Sequence, residues 1–145
     1  GAALWNVQAG APGRVVERCV GVRYAGTLPA EVRLYATGTG GTAGPFLDVA
    51  VEVGTGSATG GACTSFTPAG PPLWSGTLTD LLATHGGWDD GVALPSPAGA
   101  AEWVRDDVRV FRMRASLRDD PAANGGAAGP LTTGVHGFVW EARGG

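Results

Sequence analysis

The stretch "RCVGVRYAGTLPAEVRLYATG", residues 18–38, decides the fold. With Val16 just before it, Val20, Val22 and Tyr24 fall on one parity, and Glu17, Cys19 and Arg23 fall on the other. A period of two places successive side chains on opposite faces of a strand, so one face turns inward. Gly26 then frees the backbone and Pro29 fixes its own φ, which lets the chain reverse or cross before Val32 and Leu34 resume the alternation. The segment reads as strand, turn, strand.

The same rhythm recurs outward from it. In "FLDVAVEV", Leu47, Val49, Val51 and Val53 alternate with Asp48, Ala50 and Glu52. From Arg109 to Leu117, Phe111, Met113, Ala115 and Leu117 oppose Val110, Arg112, Arg114 and Ser116, and the closing "GVHGFVWEA" carries a last strand through Phe138 and Trp140. Between these runs lie flexible connectors, "TGTGGTAG", "GTGSATGGA" and "DDPAANGGAAGPL", and a Pro-rich surface loop, "TPAGPP". One helix is expected around residues 78–85: Thr79 can cap it, Leu78, Leu81 and Leu82 stand near helical spacing, and Gly86-Gly87 can end it. Short strands, many turns and no strand–helix–strand rhythm predict an all-β, antiparallel two-sheet sandwich.

The chain has 145 residues, enough for one well-buried core, so a single domain over 1–145 is expected. Its 26 Gly and 10 Pro fit a turn-rich β protein. All ten basic residues are Arg, a bias expected of a GC-rich bacterial genome such as an actinobacterial one. A net charge of −3 provides no field for a polyanion and argues against a nucleic-acid partner. No run approaches the ~20 apolar residues of a membrane span, and no charged start with an apolar core opens the chain, so an exported form is expected to have lost its leader.

Cys19 and Cys63 lack C-x-x-C spacing and nearby paired histidines, so no metal is implied. One disulfide is the simplest reading, with two buried free thiols in a reducing compartment as the alternative. A bridge would constrain the unfolded chain by about 3–4 kcal/mol and imply export to an oxidising compartment.

Reactive chemistry is poorly represented. Neither G-x-S-x-G nor H-E-x-x-H occurs, and His85 and His136 stand apart without flanking ligand patterns. The pairs Asp89-Asp90, Asp106-Asp107 and Asp119-Asp120 offer oxygen ligands for calcium but lack EF-hand spacing, and turn capping is the preferred role. The Gly-rich loops lack the Gly-Lys-Ser/Thr of a phosphate cradle, and no cofactor is implied. Trp74, Trp88 and Trp103 are candidate platforms for a glycan or small ligand, because aromatic faces stack well, although core anchoring is the ordinary use. Arg112 and Arg114 are candidate partner contacts, weighed against a solvated sheet face that predicts the same pattern. "ALWNVQAG", with Leu4, Trp5 and Val7, is a candidate donor strand for a neighbour's sheet edge.

Two stretches carry a resemblance. "AGAPGRVVERCVGVRYAGTLPAEVRLYA", with its Pro-Gly turn, alternating strand and G-T-L-P-A turn, is similar to the opening of TasA/camelysin-like secreted proteins. "VRVFRMRASLRDDPAANG" followed by "GVHGFVWEA" resembles that family's closing pair of strands, and together the two cover about half of the chain. The resemblance implies a jelly-roll-like sandwich exported to the cell surface or matrix, with a fibre or envelope role. Cys19 and Cys63 depart from the family pattern, and the middle of the chain has no counterpart. The expected function is therefore a non-enzymatic structural or interaction module that meets itself or other cell-surface proteins. A secreted glycan- or small-ligand-binding module is the alternative.

Overall fold

A computed structural model describes residues 15–38, 44–57, 62–117 and 136–144. The strands are β1 (Val15–Arg23), β2 (Ala30–Gly38), β3 (Leu47–Thr55), β4 (Thr67–Pro68), β5 (Trp74–Thr77), β6 (Val92–Leu94), β7 (Val108–Leu117) and β8 (His136–Gly144), with one helix, α1 (Leu78–Thr84). One sheet runs β1-β7-β3, and β4 and β5 share the far edge of β3; the other runs β6-β2-β8. Every pairing is antiparallel. The fold is an all-β, two-sheet antiparallel sandwich, and the chain passes between its sheets at most connections, as a jelly roll does.

Register explains the alternation read from the sequence. Val16, Ala115, Val49 and Gly76 form one row across the first sheet, and Val20, Phe111 and Val53 form another. These rows face Val32, Leu34, Ala36, Leu94 and Phe138 of the second sheet in one buried cluster. Phe111 meets Trp140 across the layer at 5.4 Å between ring centroids. Fully burying a side chain of this size stabilises by about 1.5–3 kcal/mol, so the cluster dominates the fold's stability.

The helix spans Leu78–Thr84, but its cap is Thr77 rather than Thr79. An N-cap needs extended backbone, which Thr77 has as the last residue of β5; its hydroxyl accepts from the Asp80 N–H at 3.1 Å. Thr79 is already helical. The segment expected as surface loop contains β4 and leads directly into β5. Two and four residues long, these strands are too short to show a period.

Candidate functional site

Both faces of the larger sheet are covered at its centre. On the outer face, Cys19, Arg112 and Glu52 form one cross-strand row. The described residues from Cys63 to Phe66 lie against this row, and Cys19 and Cys63 form a disulfide with Cα atoms 5.1 Å apart. Phe66, three residues on, lies with its ring centroid 4.6 Å from the Arg112 guanidinium. Glycines permit the close approach: a Cβ on Gly54 would strike the Thr67 carbonyl, and one on Gly56, at φ +132°, would strike that of Ser65.

Beneath this cap Arg112 donates to Glu52 Oε1 at 2.9 Å through Nε and reaches it at 2.8 Å through Nη2. Arg112 is therefore neither part of a solvated face nor free for a partner; its side chain is 15% exposed and that of Glu52 11%. Arg114, one row along, is half-exposed and donates to Glu17 at 2.7 Å. The alternation that marked a polar face could not show a loop lying over it.

None of the three candidate platform tryptophans in the described structure presents a free ring. Trp103 is completely buried, its Nε1–H donates to the Leu94 carbonyl at 2.8 Å, and its backbone bridges Ala30. It anchors the core and has no surface for a ligand, so it is not the contact residue that the sequence offered. Trp74 packs against Gly76 and meets His85 edge-on at 5.3 Å, with its Nε1–H buried and without an acceptor. Trp88 is held by the guanidiniums of Arg33 and Arg143, at 4.6 and 4.4 Å from its ring centroid.

Trp88 belongs to a ladder on the outer face of the smaller sheet. Glu31 pairs in register with Arg143, and Arg33 with Glu141. Arg33 donates to Glu31 at 2.8 Å and to the Trp88 carbonyl at 2.8 Å, while Arg143 donates to Glu141 at 2.8 Å. The Tyr35 hydroxyl donates to the other Glu141 oxygen at 2.7 Å. Hydrogen bonds from Arg143 and then Tyr35 hold the Glu141 carboxyl below its ordinary range against some desolvation. That same bond to Glu141, with burial and the carboxylate's charge, pushes the Tyr35 phenol up, and Arg143 opposes it. Beside the ladder lies an open groove of about 710 Å³, walled by Trp88, Glu31, Arg143 and the 99–102 loop. No signal in the sequence joined these groups, because they come from three separate segments.

The remaining candidates serve turns and caps. The His85 Nδ1–H donates to the Asp90 carbonyl at 2.6 Å, and His85 caps α1. His136 opens β8 opposite Gly38. Asp107 accepts from the Val104 N–H at 2.9 Å, and Asp106, at φ 71°, pairs with Arg23. Among the described residues, no group of three His, Cys, Asp or Glu is placed to hold a metal ion. No helix of the described residues is long and apolar enough to cross a membrane.

Among the described residues two nine-residue strands, β1 and β8, end their sheets with one side unpaired. β1 is nine residues long, pairs with β7 on one side and has no partner among the described residues on the other. Its core-facing valines, Val16, Val20 and Val22, touch the cluster but are only partly buried. Leu4, Trp5, Val7 and Asp119-Asp120 lie outside the described residues.

No protein-family model matches the chain, and neither the curated proteins nor the solved structures contain a match.

Proposed function

We propose that this chain is a non-enzymatic module of the bacterial cell surface or extracellular matrix, exported through an oxidising compartment, that assembles by strand addition. A neighbouring cell-surface polypeptide, either a second copy or another protein, lays an extended segment along β1. The observation that carries the reading is the edge of β1 that has no partner among the described residues: a nine-residue strand with backbone donors and acceptors along that side, flanked by valines whose burial is incomplete. The Cys19–Cys63 bridge supports it, because a disulfide persists outside reducing compartments and braces the sheet that receives the strand. The internally engaged tryptophans favour this reading over glycan stacking, since a sugar would first have to displace the two arginines from Trp88.

Gly21 provides the test. It is exposed on β1, and a Cβ there meets nothing within 4 Å, so Gly21→Lys is sterically tolerated. An edge lysine opposes strand addition. The variant is expected to keep the wild-type melting temperature while light scattering and electron microscopy show assembly suppressed. Unchanged assembly would refute the reading.

A further inference from the structure

We propose that Arg18 reads a carboxylate on the strand that docks along β1. The partner is then an extended segment of another protein that alternates apolar residues with one Asp or Glu on its core-facing side. The inference rests on the strand-addition reading and names the chemistry of its partner.

Arg18 stands opposite Met113 in the β1–β7 register, and Met113 is wholly buried on the inner face of the sheet. Arg18 therefore shares a face with Val16, Val20 and Val22, a cation within an otherwise apolar strip. The strip lies at the sheet's margin, which leaves Arg18 exposed. Of the three charged side chains on β1, two are neutralised within the fold: Glu17 by Arg114, and Arg23 by Asp106. Among the described residues, Arg18 has only a bond from Nη1 to the backbone carbonyl of Glu17, at 2.7 Å. That bond is exchangeable with water, so it holds the guanidinium without neutralising it.

A strand added to β1 would carry its own core-facing side chains beside those of Val16, Arg18, Val20 and Val22 and would shield them from water. Shielding the valines favours docking, but shielding an unpaired guanidinium opposes it unless a carboxylate arrives with the strand. Arg also binds a carboxylate in a fixed fork, which sets register as well as charge. Residues 1–14 contain no Asp or Glu, so they do not supply this group. An acid-bearing extended segment of another protein fits where those residues do not.

An inward-pointing charge on an edge strand also serves to discourage pairing altogether. The experiment separates the two roles. Two fluorescent ten-residue peptides of alternating valine and threonine, one with a glutamate and the other with a glutamine at the central valine position, are titrated against the full chain. Anisotropy gives affinity, and hydrogen exchange locates the peptide. The glutamate peptide is expected to bind about tenfold more tightly and to protect β1, with the advantage lost in Arg18→Gln and reduced in high salt. Equal binding of both peptides at β1 would overturn the role of Arg18 while leaving strand addition intact. Tighter binding of both peptides to Arg18→Val would mark Arg18 as a guard against pairing and would also overturn it. If neither peptide protects β1, strand addition itself fails, and the role of Arg18 with it.

Discussion

Removing the disulfide tests how far the cap over the larger sheet depends on its covalent tie. Cys19 and Cys63 are 44 residues apart, and closing a loop of that length removes about 13 cal/mol/K from the unfolded chain in the entropy model. At room temperature this amounts to about 4 kcal/mol, or roughly 8–16 °C in melting temperature for a chain of this size. A second loss is local. Without the bridge, the residues around Cys63 and Phe66 are no longer tethered above Arg112 and Glu52, and water reaches an ion pair it now barely touches. The suitable variant is Cys19→Ala with Cys63→Ala, because Cys19 is buried and serine would place a hydroxyl there. Urea unfolding of the variant and the oxidised wild type should show a lower midpoint, with a steeper slope as the unfolded chain expands. A loss below about 1 kcal/mol would refute the reasoning, since the cap would then be held by Phe66 and the ion pair without need of the bridge.

The capped ion pair itself should respond asymmetrically. Glu52→Gln strands a largely buried guanidinium and is expected to cost about 3 kcal/mol by chemical denaturation, whereas the double variant Glu52→Leu, Arg112→Met should lie close to wild type. Trp103→Ala should cost about 3–5 kcal/mol in the same assay, because it empties a fully enclosed site and leaves the Leu94 carbonyl without its donor. Glu141 has a lowered folded pKa, so its stabilising contribution is complete above the unfolded carboxylate range and is lost as pH falls through the folded value. Tyr35 has a raised folded pKa, so its contribution is complete below the ordinary phenol range and is lost as pH rises through the folded value. Tyr35→Phe should therefore abolish that alkaline loss and move the Glu141 titration upward, as read by carboxyl NMR. At Asp106, where φ is 71°, Asp106→Gly should be more stable than Asp106→Ala by about 1 kcal/mol, because only glycine adopts that backbone freely.

The long strands were legible because a period of two needs several residues to declare itself. β1, β2, β3 and β7 each run nine or ten residues with valines, leucines or aromatics on one parity. The disulfide was legible from arithmetic, two cysteines and no metal pattern. β4, β5 and β6 escaped, being two to four residues long and set among Pro and Gly. The site was hidden for a different reason. That Cys19 is buried on the face opposite the valines, that Arg112 lies under Phe66, and that two arginines hold Trp88 are all consequences of segments meeting in space. Alternation reports which side chains share a face and says nothing of what lies over it. Arg18 is the converse case: it broke the apolar parity of β1 in plain view, yet only the register opposite Met113 shows that it faces inward.

Hydrogen exchange on β1 tests strand addition most directly. The chain is deuterated once as dilute monomer and once under assembling conditions, and residue-resolved rates are compared. Strand addition predicts that the β1 amides not bonded to β7 exchange rapidly in the monomer and become protected on assembly, while β2, β3 and β7 change little. Protection gathered elsewhere, with β1 exchanging as fast in the assembly as in the monomer, would contradict it.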